Sequence, residues 1–189
     1  PYTTLFRSPS KAAKYGIKDR DSLQQYLAGY TFGDMGTAVL VDKNAKIATV
    51  IDSHFFSESD NWDVATFPGG GSRHFNAPDA YAFKGDPTAL MKPFFVHTKR
   101  LFLEFLDRNN ISVSKIEHVF VHQTAELFLD LICKDLQIDK EKIQITIKKY
   151  GNVAAASLPL ALDLRLRSQV NILHNNNKLW VQSLLSLCG

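Results

Sequence analysis

Two polar residues in the second half of the chain, His122 and Asn152, each lie where a predicted strand ends and a predicted helix begins. Ligand-facing groups collect at strand ends in α/β sheets. An imidazole and a carboxamide can both donate hydrogen bonds, and two such donors suit a substrate oxygen that acquires negative charge. Each residue also has a plainer interpretation. His122 can be a structural histidine at a strand end, and Asn152 can be the N-cap of the following helix. The spacing alone leaves both interpretations open.

Hydrophobic periodicity predicts the elements that would position this pair. The predicted strands cover 30–42, 45–56, 115–123, 143–149 and 179–187, and the predicted helices cover 90–108, 126–138 and a segment beginning near 153. Within the second helix, the apolar side is predicted to contain Leu127, Phe128, Leu131 and Ile132. The long irregular segment 57–89 is of a kind that often covers a site. The alternation of strands and helices in the second half predicts an α/β layered fold, with helices on both faces of a mixed sheet.

Composition limits the class of protein. The chain has 189 residues, 45% of them hydrophobic and 22% charged, which suits one globular domain with a substantial core. Its net charge of +3 is far from what nucleic-acid binding would need as evidence. No apolar run approaches the roughly 20 residues that span a bilayer, so no membrane association is expected. The histidines and the two cysteines, Cys133 and Cys188, show neither metal-ligand spacing nor a disulfide framework, which favours a reducing cytoplasm and no metal.

Both ends of the chain indicate a fragment of a longer protein. Residues 1–8, PYTTLFRS, match a translated sequencing adaptor and are predicted to be non-native. Residues 9–29 are then interpreted as a remnant of an N-terminal half, and 30–189 as a C-terminal domain. The sequence KLWVQSLLSLCG ends on a glycine directly after a predicted buried strand. This predicts that the last strand and loop of the domain lie beyond residue 189.

Residues 119–162, VFVHQTAELFLDLICKDLQIDKEKIQITIKKYGNVAAASLPLAL, resemble a known family. The order of the motifs H-Q, Y-G-N and A-A-S-x-P-x-A-L is similar to the C-terminal half of β-ketoacyl-acyl-carrier-protein synthase III. The upstream segment 32–41, FGDMGTAVLV, resembles the F-G-D-G-A-G-A-V strand of the same family. The resemblance covers about 30–189 and implies a thiolase-like α/β fold, present here as its C-terminal half and truncated at both ends.

The resemblance also implies an activity, decarboxylative Claisen condensation in fatty acid or polyketide-type synthesis. In that family a cysteine takes an acyl group from acyl-CoA, and a histidine and an asparagine hold the malonyl thioester oxygen as CO₂ leaves. His122 and Asn152 match the histidine and the asparagine. The family's cysteine would fall before residue 1, so the isolated fragment is expected to be inactive. The implied partners are acyl-CoA, acyl carrier protein and a second copy of the full-length protein, with no cofactor beyond the substrates.

Some positions depart from the family's pattern and leave alternatives. Residues 124–127 stand where A-N-x-R is usual, and Val153-Ala154 stands where T-S is usual. Cys133 is predicted to be a small buried thiol in mid-helix and not a replacement nucleophile. One alternative is a thiolase-fold acyltransferase that acts on a hydroxyl or amine acceptor. Another is a non-catalytic partner of a subunit that holds the cysteine.

Overall fold

The computed structural model describes residues 2–7, 31–44, 49–69, 72–75, 80, 83–168 and 179–182. The strands are β1 (Tyr2–Arg7), β2 (Gly36–Val41), β3 (Ala65–Thr66), β4 (Lys84–Gly85), β5 (Ile116–Phe120) and β6 (Leu179–Gln182). The helices are α1 (Pro87–Arg108), α2 (Glu126–Leu136), α3 (Ile147–Tyr150) and α4 (Ser157–Ser168). These strands form three two-stranded sheets, β1 with β2 and β3 with β4 in antiparallel pairs and β5 with β6 in a parallel pair.

Helix α1 confirms the predicted helix and begins three residues earlier. The side chain of Asp86 accepts a hydrogen bond from the backbone N–H of Ala89 at 3.0 Å. Proline at the next position, the first of the helix, has no N–H to leave unpaired, so this start is favourable. The helix ends before Asn110, whose φ of 51° is a left-handed conformation that asparagine tolerates. Its apolar side includes Phe102 and Leu106, which are both buried.

The main hydrophobic core lies where α1 and α2 pack beside β5. Val119, Phe120 and Val121 are all buried, which confirms a strand with two apolar faces. The prediction for α2 is partly wrong, because Leu127 is 68% exposed while Leu129 is fully buried. The two residues lie about 200° apart around the helix, so they cannot both face the core. The buried positions of this core are Phe102, Leu106, Ile116, Val119, Val121, Leu129, Ile132, Leu136, Ile138 and Ile143.

The predicted strand 143–149 is wrong. Ile143 makes a single parallel bridge to Val119, and the chain then turns into the short helix α3. A buried side chain, that of Gln123, hydrogen-bonds the backbone of 144–147 where a neighbouring strand would otherwise pair. Tertiary contacts therefore override the β-propensity of the isoleucine-rich sequence.

The predicted strand 45–56 is also wrong over its described part, 49–56, which has no regular structure. Val50 and Phe55 are each 82% exposed. Polar contacts attach this segment to α1 instead, among them the bond from Arg108 Nε to Asp52 Oδ2 at 2.8 Å. Residues 45–48 lie outside the described part of the chain.

Both predicted terminal regions are described only in part. Residues 2–7 form β1 and pair along the whole of β2, and their non-native origin stays a prediction. Residues 9–29 and 183–187 lie outside the described ranges, and the predicted strand 179–187 is present as β6 over Leu179–Gln182. Within the described ranges, no helix combines the length and the apolar character needed to cross a membrane.

Candidate active site

The backbone of Asn152 is held by the segment that leads into β2. Asn152 N–H donates to the carbonyl of Thr31 at 2.7 Å, and Gly33 N–H donates to the carbonyl of Asn152 at 3.0 Å. These bonds form a parallel bridge between Phe32 and Asn152. Gly33 is needed for this approach, because a Cβ there would lie 1.8 Å from the carbonyl oxygen of Tyr150. The upstream segment FGDMGTAVLV and the Y-G-N motif are therefore in direct contact.

Gly151 makes the turn before Asn152. This glycine ends helix α3 with φ of 70°, and a Cβ on it would lie 2.8 Å from the carbonyl oxygen of Thr31. A residue with a side chain would be strained there both by its dihedral angle and by the contact. The turn delivers Asn152, which is 5% exposed, to the edge of a buried cluster containing Val153 and Ala156.

The carboxamide of Asn152 is oriented by a local hydrogen bond. Its Oδ1 accepts from the backbone N–H of Ala154 at 3.0 Å, just before the helical turn Ala154–Ala156. This is the Asx-type bond that asparagine makes two residues along the chain. The N-cap of the helical turn is Val153, so the prediction that Asn152 is the N-cap is wrong by one residue. Because the oxygen is engaged there, the amide nitrogen is the corner of the carboxamide that can donate elsewhere.

His122 follows the end of β5 and is partly buried. Burial lowers the pKa of its imidazole below the ordinary value of 6.5, and a backbone hydrogen bond with Ala154 opposes that shift. A bond that raises the pKa of an imidazole stabilises the protonated ring, so the ring is the donor and the carbonyl of Ala154 the acceptor. The ring is consequently neutral in the substrate-free protein near pH 7.

Ala154 brings the two predicted residues together, although it has no polar side chain. Its N–H binds Asn152 and its carbonyl is the partner of His122. Its φ of 47° is uncommon for a residue other than glycine, and such conformations gather at functional sites. Sequence reasoning missed Ala154 because its contribution is made entirely by its backbone. The one sequence feature that marked this position was Val153-Ala154, which stands where the family usually has T-S.

Three phenylalanines form a cluster around Phe32, the residue whose backbone bridges Asn152. The ring of Phe32, the residue bridged to Asn152, meets that of Phe83 edge-on with centroids 5.2 Å apart. Phe67 lies 5.2 Å from Phe83 and stacks on Phe32 at 6.5 Å. Both Phe67 and Phe83 come from segment 57–89, so part of that segment packs on Phe32.

Cys133 does not have the properties of a catalytic nucleophile. It is partly buried in α2 and packs against the main core. Burial raises the pKa of its thiol above the ordinary value of 9.0, so it is protonated near neutral pH. This agrees with the predicted structural role, while Cys188 lies outside the described residues. In the described ranges, His, Cys, Asp and Glu side chains form no group of three or more suited to a metal ion.

Comparisons with known proteins identify relatives of this chain. Residues 106–181 match the family described as 3-oxoacyl-[acyl-carrier-protein] synthase III C terminal. The chain is 29% identical over 145 residues to β-ketoacyl-[acyl-carrier-protein] synthase III of Aliarcobacter butzleri, covering 71% of this chain and 42% of that protein. It is 30% identical over 140 residues to the synthase III of Blochmanniella floridana, again covering 42% of the relative. The chain thus spans less than half the length of these relatives.

Solved structures show the same fold. FabH, the 3-oxoacyl-(acyl carrier protein) synthase III of Pseudomonas aeruginosa, superposes with a TM-score of 0.72 at 21% identity, covering 95% of this chain and 52% of that one. A variant of OleA from Xanthomonas campestris superposes with a TM-score of 0.76 at 13% identity over the same shares. The protein therefore has a thiolase-like α/β fold, corresponding to about half of each of these structures. Over residues 106–181 it resembles the C-terminal domain of 3-oxoacyl-(acyl carrier protein) synthase III.

Proposed function

We propose that His122 and Asn152 are the two oxyanion donors of a decarboxylative Claisen condensing enzyme. When a malonyl thioester loses CO₂, the electron pair of the broken C–C bond is delocalised as an enolate, and negative charge collects on the thioester oxygen. Two fixed donors beside that oxygen lower the barrier, and one such donor is typically worth about 3–4 kcal/mol. The observation that carries the proposal is that the backbone of Ala154 meets both residues: its N–H donates to Asn152 Oδ1 at 3.0 Å, and a hydrogen bond with its backbone raises the pKa of His122.

The two donors would act differently. Asn152 presents its amide nitrogen once Ala154 has engaged its oxygen. His122 already gives one ring N–H to Ala154, so its second nitrogen donates only when the ring is protonated. Negative charge on the substrate oxygen favours the protonated ring. Because burial lowers the pKa of free His122, the decarboxylation rate is expected to rise towards acid pH over the range in which the protein stays folded.

The family resemblance predicts that the acyl-accepting cysteine lies before residue 1, and the raised pKa of the buried Cys133 thiol supports a nucleophile other than Cys133. The names of the curated relatives support acyl carrier protein as the carrier of the malonyl group. An acyl-CoA starter and a homodimeric full-length protein stay predictions that rest on the family resemblance. A cytoplasmic location stays a prediction that rests on the two cysteines. Condensation of the acyl-cysteine with the enolate would then give a 3-oxoacyl product.

The test uses the full-length parent protein. Its reading frame is first established by sequencing the source DNA across both ends of the chain, and the protein is then expressed. The assay is CO₂ release from carboxyl-labelled malonyl thioester. His122→Ala and Asn152→Ala should each lower the rate by about 10²- to 10³-fold. His54→Ala, a histidine paired with Glu104 away from the site, should leave the rate unchanged. Full activity in either site variant would refute the assignment.

The 189-residue chain provides a separate check on the position of the nucleophile. Incubated with acyl-CoA and malonyl-acyl carrier protein, it should show no acyl adduct by mass spectrometry and no 3-oxoacyl product. An adduct on Cys133 would refute the placement of the nucleophile outside the chain. A full-length sequence that also lacks an upstream cysteine would instead indicate the non-catalytic partner.

A further inference from the structure

Gln123, the residue after His122, is 1% exposed and uses both ends of its carboxamide. Its Nε2 donates to the carbonyl of Gln144 at 2.7 Å. Its Oε1 accepts from the backbone N–H of Thr146 at 2.8 Å and from that of Ile147 at 3.1 Å. One side chain therefore satisfies three backbone groups in a segment about twenty residues further along the chain.

The three backbone groups bound by Gln123 lie in the segment that leads to Asn152. Ile143 makes the last bridge to β5, so the backbone of 144–147 has no strand partner there. The same segment leads directly into α3, whose last residue, Tyr150, is followed by Gly151 and Asn152. The side chain of Gln123 thus makes hydrogen bonds that a paired strand would otherwise make. It connects the end of β5, next to His122, to the segment that leads to Asn152.

We propose that Gln123 is a positioning residue that fixes the separation of His122 and Asn152. Ala154 connects their side chains on the substrate side, and Gln123 connects their backbone segments on the buried side. With both connections present, the two donors keep one geometry and bind a single oxygen. The catalytic part of this inference rests on the proposed function, whereas the coupling of the two segments does not. Gln123 can couple the two segments because its carboxamide is buried and all three of its backbone hydrogen bonds go to one segment, 144–147.

Two variants separate the contacts. Gln123→Met keeps the size and removes all three hydrogen bonds. Gln123→Glu keeps the oxygens that accept from Thr146 and Ile147, but an ionised carboxylate cannot donate to Gln144. Protonation of that carboxyl at acid pH restores a donor. The matched control is Thr146→Val, because the Thr146 hydroxyl is buried without a hydrogen-bond partner and its backbone N–H remains.

The structural readout is measured on the 189-residue chain and needs no activity. In Gln123→Met the amides of Thr146 and Ile147 should lose protection from hydrogen exchange, and the NMR signals of the Asn152 side-chain amide and the Ala154 backbone amide should shift. Gln123→Glu should keep the two amides protected, and its Asn152 signal should return towards wild type as the pH falls. Thr146→Val should change neither. Unmoved Asn152 and Ala154 signals in folded Gln123→Met, or in Gln123→Glu if the methionine variant does not fold, would overturn the inference.

The kinetic readout uses the full-length parent. A positioning residue should lower kcat for malonyl decarboxylation, by about 100-fold for a displacement near 1 Å, with KM changed less than about twofold. A merely structural residue would reduce the amount of folded enzyme and leave the kcat of the folded fraction intact, which would overturn the inference. If wild type releases no CO₂, the proposed function fails, and the exchange and NMR measurements still decide whether Gln123 couples the two segments.

Discussion

The close approach of Gly33 to Tyr150 predicts that Gly33→Ala will displace Asn152. The new Cβ would lie 1.8 Å from the Tyr150 carbonyl oxygen and 3.2 Å from a methyl group of Val153. To bring the first distance to the 3.4 Å of an ordinary contact, the two backbones must separate by about 1.6 Å. That movement is larger than the hydrogen bonds between 31–33 and 152 tolerate, at their present 2.7 Å and 3.0 Å.

The magnitude follows from those two bonds. Each contributes about 1 kcal/mol net, and a buried backbone group left unpaired costs about 1–3 kcal/mol. The free energy of unfolding should therefore fall by about 2–4 kcal/mol in Gly33→Ala. Gly36→Ala is the matched control, because a Cβ at Gly36 meets no atom within 4 Å and neither glycine has a positive φ. The same methyl group there should change stability by less than about 1 kcal/mol, in the stabilising direction.

Urea unfolding followed by far-ultraviolet circular dichroism measures both variants. NMR of the Asn152 side-chain amide and of the Ala154 backbone amide reports whether the displacement reaches the site. Gly33→Ala should unfold at lower urea than Gly36→Ala and should shift both signals. Equal midpoints with unshifted Asn152 and Ala154 signals would show that Gly33 does not support the site as argued.

Three further outcomes follow from burial and charge. Leu129→Ala should lower the free energy of unfolding by about 2–5 kcal/mol in urea unfolding, whereas Leu127→Ala, on the exposed side of the same helix, should change it by less than about 0.5 kcal/mol. The hydrogen bond from Asn109 holds the pKa of Asp52 below its ordinary 3.8. The stabilisation is therefore present above that pH and is lost as the pH falls through the lowered value, so the NMR signals of segment 49–56 should change there and not in an Asp52→Asn control. Burial also holds the pKa of His122 below 6.5, so its ring should titrate below that value by NMR, and wild type should lose stability relative to His122→Gln as the pH falls below 6.5.

Local pattern predicted those elements whose environment is uniform along their length. Helix α1 carries one continuous apolar stripe, and β5 is buried on both faces, so periodicity alone identified them. The segment 143–149 has an equally strong β-branched pattern, but the prediction of a strand there was wrong. Its backbone groups bind the side chain of Gln123, which lies 21 to 24 residues earlier in the chain. Segment 49–56 failed for a related reason, since polar contacts with α1 hold it and its apolar side chains stay exposed.

The candidate site shows the same division between side chains and backbone. His122 and Asn152 could be named from the sequence because the proposed chemistry uses their side chains and their motifs resemble a family's. The parts that join them are backbone groups: the N–H and carbonyl of Ala154, and the close approach permitted by Gly33. A backbone group has the same chemistry in every residue, so its role appears in a sequence only where glycine is required. Gly33 and Gly151 left such a trace, and Ala154, at a positive φ with an ordinary side chain, left none.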